Sequence, residues 1–224
     1  MKAYKHFSQL TRPFWLVMAL LTLDVELTAE VARGTGYEYQ LVSNRQFLST
    51  SMATFDQRLI GRFGGGDDGS VIAISRDPGN ANRYVIQIQA PAGSGFPSFA
   101  MTGTLFKIAE QVYIDVCYEK ESRAAGFEGA AKNENGAYAS LFRGRELHFL
   151  FVVMFSDDGI IVGKIDPDGL AILKASLPLG EYEIHRETIV EIKTPDKRLV
   201  EILAKRDGVF TFKSARRLKN GSED

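Results

Sequence analysis

The residues that could do chemistry in this chain are few and scattered. There are three histidines, His6, His148 and His185, and one cysteine, Cys117. Local metal motifs place two cysteines or two histidines a few residues apart, and the chain has no such pair. A catalytic thiol also needs a base and an orienting group, so we interpret Cys117 as a small packing residue in a strand-like run. These side chains therefore predict no catalytic, cofactor-binding or metal-binding residue.

Three groups of carboxylates stand close together, at Asp67-Asp68, at Asp157-Asp158, and at Asp166 with Asp168. Each lies in a turn rich in glycine or proline, or at a helix start, where aspartate is favoured for local hydrogen bonds. A calcium loop needs further ligands at fixed positions, which are missing here. The run of glycines at 64–66 lacks the Gly-Lys-Ser/Thr of a phosphate loop and leads into a strand. We therefore predict that the chain is not an enzyme and takes no cofactor.

Composition and charge are those of an ordinary globular chain. Of 224 residues, 45% are hydrophobic, and 27 basic residues nearly balance 28 acidic ones. Nucleic-acid-binding proteins usually present a basic face, so the balance predicts no nucleic acid partner. The basic residues Lys213, Arg216, Arg217 and Lys219 are interpreted as a solvated final turn.

A basic lead and an apolar core mark residues 1–32. Lys2, Lys5 and Arg12 precede an apolar run at residues 13–23. This run is short for a membrane span and typical of a secretory signal. We expect export to the periplasm or cell envelope. The alternatives are an uncleaved inner-membrane anchor, with membrane association through the apolar run, and an amphipathic helix lying on the domain or on a membrane.

The rest of the chain predicts one β-rich domain over residues 55–218, after a linker or edge element at 33–54 and before a polar tail at 219–224. Alternation with period two, interrupted by turns rich in glycine, proline or aspartate, indicates the strands. They are expected near 37–42, 58–63, 71–74, 84–89, 99–105, 111–118, 147–155, 160–165, 189–192 and 209–213.

Two features refine this fold. The run 147–155 is apolar on both faces, which predicts a strand covered on each side. Asp166 before Pro167 and Thr194 before Pro195 are typical starts of short helices, and Gly208 ends the second. The pattern is lost over 119–146, which we interpret as a long loop, functional or mobile. The expected fold is α+β: a mainly antiparallel, barrel-like sheet of about seven to nine strands, with two short helices in the C-terminal half.

The order of these segments resembles a known group of proteins. Its features are the run 59–63, the strand 111–116, the run 147–150 and the Asp-Pro-Asp at 166–168. Over about residues 55–218 they resemble uncharacterised bacterial envelope proteins, often lipoproteins, with a Leu-Ile-Gly-x-Trp start and a Phe-Leu-Asp strand. No cysteine follows the apolar core here, which argues against lipid attachment.

The start of the domain is also distantly similar to the Gly-x-Trp of lipocalin-like barrels. Gly61 and Phe63 match that motif in place, with phenylalanine instead of tryptophan. In that family a late arginine packs over the tryptophan, a position that Arg216 or Arg217 would fill here. The resemblance implies structural positions and no catalytic ones.

Two functions remain open. The first is a non-catalytic exported envelope protein that binds a partner protein or helps assembly, and the alternative is a lipocalin-like barrel that binds a small apolar ligand. A filled interior favours the first, and a connected apolar cavity favours the second. A hollow barrel would have free space at Gly103, whereas in a barrel whose core is filled by side chains Gly103 marks only a bend. The residues expected to face inward are Tyr84, Ile86, Ile88, Phe99, Met101, Gly103 and Leu105.

Overall fold

Twelve strands and two helices make up the part of the chain that the computed structural model describes. That part covers residues 39–64, 71–89, 99–118, 146–185, 189–193, 197–205 and 208–220, without the side chains at 99 and 213–217. The strands are β1 (Gln40–Ser43), β2 (Ala53–Thr54), β3 (Gly61–Gly64), β4 (Val71–Arg76), β5 (Arg83–Gln89), β6 (Phe99–Ile108), β7 (Gln111–Tyr118), β8 (Leu147–Ser156), β9 (Gly159–Lys164), β10 (Tyr182–His185), β11 (Ile189–Ile192) and β12 (Thr211–Asn220).

Eight of these strands close into an antiparallel barrel. Strands β3 to β9 follow one another around the barrel, and β12 pairs with both β9 and β3 to close it. The hairpin turns between successive strands account for the antiparallel order. The fold is therefore α+β and mainly antiparallel, as the sequence predicted, with a strand number inside the expected range.

A small ribbon branches from the barrel at β8. The second half of β8 pairs with β9 through Val152 to Ser156, whereas its first half pairs with β1 through His148 to Leu150. Strand β1 then pairs in parallel with β11, which pairs with β10. The chain before residue 55 thus contributes strand β1 to this ribbon.

The strand with two apolar faces, β8, lies where two cores meet. Phe149, Phe151 and Val153 face the barrel interior, whereas Leu150 and Val152 face a second apolar layer under the helices. All residues from 147 to 153 are buried, so the prediction of a strand covered on both sides is confirmed there. It fails at Met154, which is 43% exposed.

Two helices cover one side of the barrel. Helix α1 (Pro167–Ser176) begins as predicted: the Asp166 side chain accepts a hydrogen bond from the amide of Gly169 at 2.8 Å. Helix α2 (Lys197–Lys205) buries Leu199, Ile202 and Leu203, whose spacing places them on one helical face. The predicted start of α2 at Thr194 and Pro195 lies outside the described residues.

Several boundaries differ from the sequence prediction. The strand expected at 58–63 begins only at Gly61, because Gln57–Leu59 form a short 3-10 turn capped by the Asp56 side chain. Strand β10 was missed because Tyr182–His185 is only four residues long and, at the edge of the ribbon, buries none of its side chains. Strand β12 extends to Asn220, into the segment expected to be a polar tail.

Glycine is required at the tip of the β8–β9 hairpin. Gly159 has a φ of +146°, and a side chain there would collide with the backbone oxygen of Leu218. The Asp-Gly turn predicted at this position is confirmed.

Candidate functional site

The inward-facing residues of the barrel form one apolar cluster, the first place where a ligand could bind. The alternation predicted for β5 and β6 is confirmed wherever side chains are described, and residue 99 lies outside that part. The inward residues of these two strands are at most 5% exposed: Tyr84, Ile86, Ile88, Met101 and Leu105.

The space beside Gly103 is occupied, as in a barrel whose core is filled by side chains. A methyl group at Gly103 would lie 2.9 Å from the Cδ1 atom of Ile86 and 3.2 Å from that of Ile114. Carbon atoms in contact normally stay about 3.5–4.0 Å apart. The side chains of the two neighbouring strands therefore fill the volume that glycine leaves at this level of the barrel.

One end of the barrel is covered by residues 55–60 of the chain itself. Phe55 stacks on Tyr84 with 5.3 Å between ring centroids, and the Arg76 guanidinium lies 4.7 Å from the centroid of Phe55. Leu59 is 2% exposed and belongs to the interior cluster. This segment closes the end at which β4 finishes and β5 begins.

A buried ion pair lies on the outer face of the barrel, where β7, β8 and β1 meet. The Oδ1 atom of Asp115 lies 2.8 Å from the Nδ1 atom of His148, and its Oδ2 atom accepts a hydrogen bond from the amide of Phe47 at 2.8 Å. Asp115 is 2% exposed and His148 is 8% exposed. The carboxylate thus joins β7 to β8 and fixes the chain that follows β1.

The contact with Asp115 favours the charged form of His148. Burial alone would lower the pKa of His148, but the hydrogen bond and charge of Asp115, together with Cys117, raise it to about 10. A buried carboxylate with two hydrogen bonds and an opposite charge is well compensated, whereas either partner alone would be costly to bury.

Two further polar side chains stand beside this ion pair. Cys117 lies directly across from His148 in the strand register, and Glu146 precedes β8. One ligand atom from each of Cys117, Glu146 and His148 lies within 4.8 Å of the other two. Cys117 is half-buried and Glu146 is exposed, so solvent reaches this group. We call these three residues with Asp115 the outer polar cluster.

The outer polar cluster contains a thiol, a base and an orienting acid. Acyl transfer also needs N–H donors for the developing oxyanion. Cys117 pairs with Thr102 in one neighbouring strand and with His148 in the other. The backbone amides nearest the thiol are therefore engaged in hydrogen bonds of the sheet. The arrangement suits ion binding or thiol chemistry better than acyl transfer.

Sequence reasoning missed this cluster because its members come from two strands that are separated by residues 119–145, where the sequence pattern is lost. Asp115 and Cys117 are two apart in β7, so they share one face of that strand. A lone carboxylate in the middle of an otherwise apolar strand, with a histidine in the next strand, was the available signal. The pairing register that joins them is a long-range property.

A second group of ionisable residues lies on the ribbon. His185 Nε2 is 2.8 Å from Glu191, His185 Nδ1 is 3.9 Å from Glu183, and Lys193 is 2.9 Å from Glu183. The hydrogen bond and charge of Lys193 lower the pKa of Glu183. These contacts form a surface charge network on β10 and β11.

The outward side of β4, β5 and β6 has a different character, because nine neighbouring positions on it carry no charge. All nine are half-buried or exposed, and the outward row of β5 begins with a charged residue, Arg83. We call this surface the β4–β6 face. Its residues are Val71, Ala73, Ser75, Val85, Gln87, Gln89, Ala100, Thr102 and Thr104.

The carboxylates singled out in the sequence form local contacts. Asp166 caps α1, with Asp168 in its first turn, and Asp158 accepts from the Ser156 hydroxyl in the β8–β9 turn. Asp67 and Asp68 lie outside the described residues, as do the side chains of Lys213, Arg216 and Arg217. The backbone at Arg216 and Arg217 pairs with β9 in β12, so these residues belong to a strand and not to a final turn.

The fold defines this chain as a closed eight-stranded antiparallel barrel with two late helices. No family model, curated protein or solved structure matches the chain. Within the described residues, no helix is both long enough and apolar enough to cross a membrane.

Proposed function

We propose that this protein is a non-catalytic component of the cell envelope that binds a partner protein through the β4–β6 face. The observation that carries the proposal is the set of nine neighbouring uncharged positions on that face, bordered by Arg83 in the outward row of β5, in a chain where one residue in four is charged. Depletion of charged residues distinguishes the core of a protein–protein interface from the rest of a surface.

The size of the face suits an interface core. Three strands about 4.8 Å apart, each with three outward residues at about 6.8 Å spacing, span roughly 300 Å². Each partner in a standard interface buries about 800 Å², so the remainder would be a polar rim.

Three arginines at the margin give that rim its chemistry. Arg62 pairs with Ala73 in the strand register, Arg83 pairs with Thr104, and Arg76 ends β4. Each has a hydrogen bond that orients its guanidinium: Arg62 to Gln89, Arg76 to the carbonyl of Ala81 and Arg83 to Asp77. Arginine is enriched at interfaces and recognises carboxylates. The partner is therefore a protein with an uncharged contact surface and acidic residues around it.

The barrel interior supports a surface role over the lipocalin-like alternative. Ile86 and Ile114 occupy the space beside Gly103, and residues 55–60 cover one end. An envelope location rests on the basic lead and apolar core of residues 1–32.

A position-specific crosslinking experiment tests the proposal. A photoreactive amino acid is placed at exposed Gln87 on the face, or at exposed Ala171 on α1, in cells that naturally make the protein. We expect one discrete adduct from Gln87 and none of that mass from Ala171. With Gln87 as the probe, Ala73→Glu should abolish the adduct because it places a charge directly across from the probe, whereas Ala73→Ser should keep it.

Two results would refute the proposal. One is the same set of adducts from both probe positions, which would mean random encounters. The other is a Gln87 adduct that survives Ala73→Glu, which would place the contact elsewhere.

A further inference from the structure

We propose that the outer polar cluster is a site for a zinc-type divalent cation, bound by Cys117, Glu146 and His148. One ligand atom from each residue lies within 4.8 Å of the others. In a tetrahedral zinc site, with bonds of about 2.0–2.3 Å, neighbouring ligand atoms are about 3.6 Å apart. Rotation of the exposed Glu146 side chain and a small approach of the other two would complete that geometry.

Asp115 holds the histidine as a ligand. Its Oδ1 atom engages Nδ1 of His148 at 2.8 Å, which leaves Nε2 for the ion. Its other oxygen is fixed by the amide of Phe47, so the carboxylate cannot swing away. A buried carboxylate behind a histidine is the usual outer-shell arrangement of protein zinc sites, where it fixes the ring and strengthens the ligand.

The ligand types select the class of ion. A thiolate and an imidazole favour zinc and similar transition metals over magnesium or calcium, which prefer oxygen. Three protein ligands leave a fourth position for water, and the partial exposure of Cys117 and Glu146 gives an ion access. An ion on Nε2 would take the place of the proton held there, so Asp115 still faces one positive charge.

The ribbon group provides a comparison within the same chain. Glu183, His185 and Glu191 also bring ligand atoms within 4.8 Å of one another. However, the Lys193 ammonium lies 2.9 Å from Glu183 and competes with a cation, and the group has no thiol. We therefore place the ion at the outer polar cluster.

Cobalt(II) titration of the purified full-length protein tests the assignment, because a cobalt–thiolate bond has its own near-ultraviolet charge-transfer absorption. We expect that absorption to saturate at one equivalent and to be reversed by zinc. Cys117→Ser should abolish it. Glu146→Gln should weaken cobalt binding by at least about 10-fold, whereas the matched ribbon variant Glu191→Gln should leave it unchanged.

Neither Cys117 nor Glu146 is fully buried, so both variants should fold. Absence of the charge-transfer absorption in the wild type would overturn the site. So would loss of the absorption in Glu191→Gln, or its persistence at full strength in Glu146→Gln. A failed result here leaves the proposed partner interface untouched, since the two surfaces use different residues.

Discussion

Replacement of Gly103 by alanine tests whether the barrel interior is as full as its geometry indicates. The new methyl group would lie 2.9 Å from Ile86 Cδ1 and 3.2 Å from Ile114 Cδ1, about 0.3–1.1 Å inside ordinary contact distance. Overpacking of this kind costs about 1–3 kcal/mol. The lower conformational entropy of alanine in the unfolded chain returns about 0.5–1 kcal/mol, so we expect a net loss of about 0.5–2 kcal/mol.

The second substitution in this test removes the atom that is too close. Ile86→Val deletes Cδ1 and alone should cost about 0.5–1.5 kcal/mol. Combined with Gly103→Ala it should cost less than the sum of the two, by about 1 kcal/mol or more, because the methyl group then has room. Ile88→Val is the matched control, since Ile88 is equally buried on the same strand but lies two residues further along.

Chemical denaturation of the four proteins gives the coupling free energy directly. If Gly103→Ala is neutral or stabilising, the interior has free volume at this level. The same follows if the costs of Gly103→Ala and Ile86→Val add within about 0.5 kcal/mol. Coupling of equal size with Ile88→Val would show that the effect is not local. Either outcome would revive the apolar-ligand alternative.

Three further predictions concern the core, the ion pair and the leader. Phe151→Ala should lower the free energy of unfolding by about 3–5 kcal/mol, because the ring is 5% exposed inside the barrel; a loss below about 1 kcal/mol in denaturation would contradict the sheet order. Asp115→Asn should cost about 3–5 kcal/mol by leaving a buried imidazolium without its counter-ion, whereas Asp157→Asn in an exposed turn should change stability by less than about 0.5 kcal/mol. Residues 1–32 should export a reporter that is active only outside the cytoplasm, and an inactive, soluble fusion would contradict the proposed location.

Local patterns in the sequence predicted most of the barrel. Strands such as 84–89 and 111–118 alternate because one face is buried and the other is not, and the hairpin at Asp158-Gly159 needs a residue without a side chain. The helix cap at Asp166 is likewise a local interaction. The closure of β12 on β3 joins the two ends of the domain, and no local pattern specifies such a pairing.

The outer polar cluster could not be predicted from those patterns. Asp115 reads as a polar residue on the solvent side of a strand, yet it is buried because Phe47 and its neighbours cross over it. The space at Gly103 likewise depends on neighbouring strands, because side chains from β5 and β7 reach across to fill it. In each case the outcome depends on which strands are neighbours.

Mass spectrometry of the protein isolated from its own cells tests the central claim most directly. That claim is that the barrel interior is structural and that the outer surface carries the function. The mass of the monomer under native conditions is compared with its mass after denaturation in organic solvent. The account predicts that the two masses differ by no apolar small molecule, because side chains fill the interior. A stoichiometric apolar molecule that is retained in the native protein and released on denaturation would contradict it.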